Sequence, residues 1–522
     1  MKVKFVVQTH MDNSNGIVGI NPVYFWLKAF YVRHGKHNIE WLPTQYELNI
    51  DEIVRERPDV LCFSLYGWNV DFIHNKIESI KQVLPDCKMI IGGPEVIREN
   101  TFEVFPWADY AIYGDGEEAF QLLIDAIIDN DFSRCINLIT REKIYPHKIF
   151  KFQDFEEYSP YVDMRDELKE THQYFINKYE RSSVKLSYQR VRGCMYRCAF
   201  CNWQSGLHWK VSERKYNWKE DIDLFCEMGI ALRIIDANFG LFDDDIELIK
   251  YAMKKYQENP HFSAIPGNLS KVKKDRVFKI YEIVYEQLKH DPFYPMTISL
   301  QDIDEEVLKN VNRPSAPWAE LKTMLRDLRK KFPLMYLAPE IIIGLPGFNI
   351  DKFKNQLIEF ADVPMSPLQF YLWCYLVNSP ASDPEYQSKH NLVIVESGSS
   401  NFGFKLMWER GKSKEVVEAL YYCMLYNRVA TYLWKIKKKP SGAFMRKVIQ
   451  LLEKDISEKA QIFHDEVYIS ENKIDFSKKI MYRIEHDVHE LIWSKDIKQI
   501  KDLKSFVSIA WNYRFKNEQV SE

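Results

Sequence analysis

The sequence predicts an α/β chain in three parts: a Rossmann-like open parallel sheet, a partial barrel of parallel strands, and a helical C-terminal region. Three observations carry this expectation. Short apolar strands alternate with amphipathic helical stretches over residues 1 to about 140, the alternation restarts near residue 181, and strand signals fade from about residue 400. Strands that alternate with helices imply parallel sheets joined by crossovers. A chain of 522 residues accommodates roughly three or four domains at about 150 residues each.

The elements follow in order. Residues 3–7, 59–65, 88–93 and 108–114 are apolar runs of strand length. Residues 69–84 place Val70, Ile73, Ile77, Ile80 and Leu84 at helical spacing. Residues 141–180 read as a linker, punctuated by Pro146, Ser159 and Pro160, with dense charge over 163–170. Strands are then expected at 185–191, 231–237, 296–300, 340–343 and 368–377, with helices at 246–256 and 318–331 among them. Residues 415–434 and 444–459 read as helices, and further amphipathic helices follow to about 513. The run Lys437-Lys438-Lys439 before Pro440 reads as a solvated helix end.

Composition narrows the function classes. Apolar residues make up 46% and charged residues 28%, which is ordinary for globular chains. Lys+Arg total 71 against 74 Asp+Glu, a net charge of -3, so a nucleic-acid partner is not expected. No apolar run approaches the roughly 18–20 residues that span a bilayer, and the first residues lack a secretory pattern. The expectation is a cytoplasmic protein with no membrane partner. Nine cysteines are too few for a disulfide scaffold, yet three of them fall within eight positions. That crowding points to metal or redox chemistry in a reducing compartment. Cys62, Cys87, Cys135, Cys226, Cys374 and Cys423 read as packed thiols, and His486 and His489 as a polar helix face.

The three crowded cysteines lie in Arg192-Gly193-Cys194-Met195-Tyr196-Arg197-Cys198-Ala199-Phe200-Cys201, a Cys-x3-Cys-x2-Cys loop directly after a predicted strand. Three thiolates this close can wrap one cluster of soft metal ions. A cubane 4Fe-4S cluster held by three cysteines leaves one iron open to a substrate or cofactor. The alternative is a structural zinc with His208 as fourth ligand, in a non-enzymatic α/β binding protein.

With Phe200 before its last cysteine, this loop resembles the signature of radical S-adenosylmethionine (SAM) enzymes. The resemblance implies a partial (β/α)6 barrel over residues 181–395. Cys194, Cys198 and Cys201 would ligate a 4Fe-4S cluster whose open iron chelates S-adenosyl-L-methionine. One electron, delivered by an external flavodoxin- or ferredoxin-type donor, would release a 5′-deoxyadenosyl radical. Segments 234–240, 264–268, 299–301 with 306–313, and 343–347 agree with the family in order. By the resemblance, Phe200 packs on the cluster loop and offers its backbone to adenine, and Asp236, Asn238, Gln301 and Gly344 contact SAM or the substrate. The family's usual Gly-Gly-Glu element is replaced here by Asp236-Ala237-Asn238.

The N-terminal sheet carries the loops Ser64-Leu65-Tyr66-Gly67-Trp68-Asn69, Gly92-Gly93-Pro94-Glu95 and Gly114-Asp115-Gly116-Glu117-Glu118. Paired glycines let a backbone lie flat against a large ligand. The first loop, residues 10–16, lacks the dinucleotide glycine pattern. Order and chemistry resemble the cobalamin-binding domain of cobalamin-dependent radical SAM enzymes of the class B methyltransferase type, over residues 1–140. By that resemblance Ser64, Tyr66, Gly67, Trp68, Asn69, Gly92, Gly93, Gly114, Gly116 and Glu117 contact cobalamin. No Asp-x-His-x-x-Gly is present, so no histidine ligand is expected below cobalt, and Trp68 or Asn69 would lie nearest that face. The helical region 396–522, with Trp493 and Trp511, would shape one end of the cavity.

The expected function is methylation of an unactivated carbon in a small natural-product, peptide or related substrate, through methylcobalamin and the 5′-deoxyadenosyl radical. The alternative with the same cofactors is a cyclisation or rearrangement without net methyl transfer.

Overall fold

The computed structural model describes residues 1–7, 19–150, 158–179, 184–203, 212–213, 218–265, 273–288, 296–335, 337–363, 365, 367–397, 405–435, 442–476 and 480–494. The predicted loop at 10–16, His208, Gly267, Asn268, the run 437–440 and Trp511 lie outside these residues, as does the side chain of Trp493. The chain divides into two compact units. One comprises Met1–Arg197, Cys201–Asn268 and Leu376–Pro380, the other Cys198–Phe200, Leu269–Tyr375 and Ala381–Glu522.

In the first unit, a six-stranded sheet has the order Glu40–Trp41, Lys2–Val6, Val60–Ser64, Lys88–Gly92, Tyr110–Ile112, Leu138–Ile139. All neighbours are parallel except the last pair. This is the expected Rossmann-like sheet; its four anticipated strands fall within one or two residues of their expected ends, and Glu40–Trp41 and Leu138–Ile139 are additional edge strands that were not anticipated. The helical spacing read at 69–84 is realised in the helix Val70–Val83, whose Ile73, Ile77 and Ile80 are fully buried against Leu61, Phe63 and Met89. Each such side chain contributes about 1.5–3 kcal/mol of burial. Strand alternation sends Phe5 to the other face, where it meets Tyr24 at 5.2 Å and Phe120 at 5.3 Å, on the helices Val23–His34 and Glu117–Asp129. Lys4, inside an apolar run, is fully buried. Its ammonium donates to the Pro43 carbonyl at 2.7 Å and pairs with Glu52 and Glu56.

The stretch expected to be a linker holds two helices, Pro160–Asp163 and Arg165–Tyr179. Several of its charges, which suggested a solvated connection, have fixed partners. Asp163 accepts from Arg33, Glu167 pairs with Lys28, and Thr171 shares a 2.7 Å hydrogen bond with Tyr46.

The five strands read for the central part are all present, and Ser263–Ile265 supplies the sixth that the resemblance implies. Lys185–Tyr188, Ala231–Ile234 and Ser263–Ile265 are parallel neighbours in the first unit. Met296–Gln301, Leu337–Ile343 and Gln369–Leu372 form a parallel sheet in the second. No closed barrel forms among the described residues. Among the strands not anticipated, Gly19–Ile20 pairs parallel with Lys185–Tyr188 and extends the first of these sheets to four strands. Two residues carry too little pattern to be read as a strand.

Helices Ser413–Lys435, Gly442–Val467 and Ile480–Ser494 realise the helical C-terminal region. It also contains the antiparallel hairpin Tyr468–Ser470 with Lys473–Ile474, and its strand Leu406–Glu409 pairs antiparallel with Leu392–Val395 from the end of the preceding part. No helix among the described residues is long and apolar enough to cross a membrane.

Candidate functional site

The cysteine loop leaves a short strand, Val191–Arg192, through Gly193, whose φ of +105° is open to glycine but strained for other residues. All nine cysteines are thiols rather than disulfides. Cys194 and Cys201 are half-buried and Cys198 is buried. Among the described residues, N–H donors reach Cys194 Sγ and Cys201 Sγ. Asn238 Nδ2 donates to Cys194 Sγ at 3.3 Å, and the Trp203 backbone N–H donates to Cys201 Sγ at 3.4 Å. Sulfur that accepts hydrogen bonds is sulfur prepared to carry negative charge, as a metal-bound thiolate does.

The segment entering this loop is fixed from three directions. Asp236, just beyond the strand Ala231–Ile234, accepts the backbone N–H groups of Arg190 and Val191 at 2.8 and 2.9 Å on Oδ1. The fully buried Arg190 guanidinium pairs with Asp245, whose other oxygen takes the Gly240 and Phe242 N–H groups. Arg192 forms a buried three-charge cluster with Asp115 at 2.9 Å and Glu117 at 2.7 Å.

Asp236 Oδ2 and Asn238 Oδ1, in the same unit, are among the buried polar atoms that have no hydrogen-bond partner. Burial pushes the Asp236 carboxyl up to about 7, against the lowering effect of its two backbone donors and Arg190. Both atoms are hydrogen-bond acceptors waiting for a donor. In the second unit Gln301 repeats the pattern. It is buried, its Oε1 has no partner, it sits at a register shift in its strand, and its φ is +67°. A non-glycine residue held there stores strain of the kind found at functional sites. Phe200 packs with Ala199, Val307, Val311, Leu345 and Trp373, and the Arg313 guanidinium lies 5.9 Å from its ring centre. The Arg313 side chain also donates to the Ser299 carbonyl. Gly344 has a φ of +92°, and a Cβ there would stand 3.4 Å from Trp408 and Val416 side-chain atoms.

At the carboxyl ends of the N-terminal sheet, Ser64 is buried and its carbonyl accepts from Asn69 Nδ2 at 3.0 Å. Asn69 Oδ1 accepts the Tyr66 N–H at 2.8 Å, so the Asn69 amide, 1% exposed, is spent inside the loop that carries Gly67. Trp68 is 40% exposed and stacks on Tyr66 with ring centres 4.2 Å apart and planes 11° apart. Of the two residues expected nearest the lower corrin face, the structure leaves Trp68 open and encloses Asn69. Gly92 ends its strand. Gly93 has a φ of +102°, and a Cβ there would fall 2.4 Å from the Leu65 carbonyl oxygen. Gly114 has a φ of +73°. A Cβ on Gly116 would meet Leu27 at 3.1 Å. Glu117, expected to face cobalamin, is buried and paired with Arg192. These glycines answer to approaches within the chain, Leu65 at Gly93 and Leu27 at Gly116; the Glu117 carboxylate is taken by Arg192.

Arg192 and Asp115 were missed in the sequence. The signal available was a basic residue next to Gly193-Cys194 and an acidic one between two glycines, which does not specify a pair. His486, Asp487 and Glu490 bring potential ligand atoms within 4.8 Å of one another. The Lys459 ammonium already lies 3.6 Å from Asp487 and 3.5 Å from Glu490. This is a charge-balanced helix face.

Comparison with known proteins bears on both halves of the site. Residues 31–124 match the family model described as the B12 binding domain. The chain is 26% identical over 362 residues to the 2-(S-pantetheinyl)-carbapenam-3-carboxylate methyltransferase of Streptantibioticus cattleyicolor, covering 65% of this chain and 50% of that protein. It is 26% identical over 359 residues to the cobalamin-dependent radical SAM methyltransferase TokK of Streptomyces tokunonensis, with the same coverage of 65% and 50%. The chain thus spans about half the length of these curated relatives. The radical S-adenosylmethionine methyltransferase TsrM from Kitasatospora setae, solved with cobalamin and a [4Fe-4S] cluster bound, superposes with a TM-score of 0.58 at 13% identity, over 88% of this chain and 99% of that one. At that identity the likeness is one of fold.

Proposed function

We propose, from the premise that this chain is a relative of the cobalamin-dependent radical SAM methyltransferases and carries a B12-binding domain, that it is an enzyme of that kind, methylating a carbon of a small molecule. The observation that carries the reading is the Cys-x3-Cys-x2-Cys loop, with N–H donors on two of its sulfurs and unpartnered buried acceptors at Asp236 and Asn238. When bound, the three cofactors supply one-electron cleavage of SAM and a transferable methyl group; the chain supplies placement and insulation.

Cys194, Cys198 and Cys201 would hold the 4Fe-4S cluster. Asp236 Oδ2, Asn238 Oδ1 and Gln301 Oε1 would accept hydrogen bonds, for which SAM offers an amino group, ribose hydroxyls and the adenine amine. Phe200 is held against its apolar neighbours, so its backbone is fixed where adenine is expected, and Gly344 leaves its loop without a side chain. Gly92, Gly93, Gly114 and Gly116 would let the backbone lie against the corrin, with Ser64, Gly67 and the stacked Tyr66–Trp68 pair beside it. Glu117 acts through Arg192 rather than on the cofactor. The first relative's name supports a small-molecule substrate. A flavodoxin- or ferredoxin-type donor and a reducing, cytoplasmic setting complete the proposal.

Anaerobic reconstitution of the full chain tests it. The expected product is brown, with about four irons per chain. It retains cobalamin and forms 5′-deoxyadenosine from SAM. Substitution of Cys194, Cys198 or Cys201 by alanine abolishes that cleavage. A colourless protein with about one zinc per chain, or full cleavage after any of the three substitutions, overturns it.

A further inference from the structure

We propose that Asn238 sets the reduction potential of the cluster through its hydrogen bond to Cys194 Sγ. The inference rests on the cluster reading above and goes beyond it, because the Asn238 side chain, read above as an acceptor for SAM through Oδ1, also turns its amide nitrogen to sulfur.

The geometry is specific. Asn238 is 6% exposed, and its Nδ2 lies 3.3 Å from Cys194 Sγ. A thiolate only accepts, so the amide must turn its nitrogen toward sulfur; the flipped amide would set two acceptors against each other. Its Oδ1 is thereby turned away, buried and without a partner. The donor end of one side chain is committed to the sulfur, and the acceptor end stays available to a cofactor. The surrounding turn is rigid. Asp236, two residues earlier, grips the backbone before the cysteine loop, and Gly240, two residues later, is held by Asp245.

One-electron reduction adds one negative charge to the cluster, spread in part over its cysteine sulfurs, with no bond broken and no proton moved. An N–H dipole aimed at one of those sulfurs stabilises the added charge and raises the potential, more so where water is scarce. The donor to Cys201 is a backbone N–H, which side-chain substitution leaves in place. Among the described residues, Asn238 is a side chain through which sequence can adjust the potential.

The test is a redox titration of the reconstituted full chain, with dithionite as electron source and the reduced cluster followed by electron paramagnetic resonance. Wild type is compared with N238A and with N238D, which keeps the shape and loses the donor. At a fixed potential the reduced-to-oxidised ratio should fall about tenfold in N238A, equivalent to 59 mV for one electron, and further in N238D, where a carboxylate faces the sulfur. Iron content should match wild type. Midpoints equal to wild type in both variants overturn the proposal. So does failure of both variants to assemble a cluster that wild type assembles, because a tuning residue is dispensable for assembly. A wild type that takes up no iron overturns the cluster reading itself, and this inference with it.

Discussion

Asp236 concentrates the site's electrostatics in one side chain. Burial raises its carboxyl from 3.8 to about 7, while two backbone N–H groups and Arg190 pull the other way. Between those values the folded chain keeps a proton that the unfolded chain has lost. The contribution of this group to stability therefore falls as pH rises from about 4 to about 7 and stays at its unfavourable limit above. Asp236→Asn keeps the oxygen that accepts the two N–H groups and removes the titration. The melting temperature of the variant relative to wild type should therefore be higher at pH 8 than at pH 5. An equal difference at both pH values contradicts the assignment. The residue was legible from sequence because it stands where the family's Gly-Gly-Glu is expected, directly behind a strand. Its second task, gripping the Arg190 and Val191 backbone, was not. That contact joins residues 46 and 45 positions apart, and no local pattern encodes it.

At the scale of elements, the strand Val191–Arg192 is the junction between the cysteine loop and the helix Glu117–Asp129. Arg192 answers two carboxylates, and the side chains of all three are no more than 12% exposed. Removing the arginine would leave two buried negative charges facing each other. Arg192→Ala should cost about 3–5 kcal/mol, measured by denaturant unfolding of the first unit, and adding Asp115→Asn and Glu117→Gln to the same chain should recover most of that loss. A loss unchanged in the triple variant would show that packing, not charge, explains it. Elements with strong periodicity were readable in advance. The helix Trp318–Lys331 matches its expected bounds, and Val70–Val83 lies within one residue of them. The helix Arg165–Tyr179 was hidden by its charge, which suggested solvent until Lys28 and Arg33 proved to neutralise the stretch from the side. The hairpin Leu392–Val395 with Leu406–Glu409 was hidden because its strands are four residues each.

For the whole molecule, the division into two compact units means that unfolding need not be a single transition. If the N-terminal sheet binds cobalamin, hydroxocobalamin at about a hundredfold excess over its Kd should stabilise the folded state by about 2.7 kcal/mol. Calorimetry should show the shift first in the transition that carries the first unit; no shift at saturating ligand contradicts a B12 site. The three-part plan was readable from the alternation of strands and helices. The partition into units was not, because each unit is assembled from three separate stretches of chain. The two-residue strand Gly19–Ile20 gives this a practical edge. Ile20 lies beside Leu186 on the rim of the four-stranded sheet, so an expression clone starting at residue 181 would bare the Lys185–Tyr188 flank. Naked flanks of this kind recruit other chains.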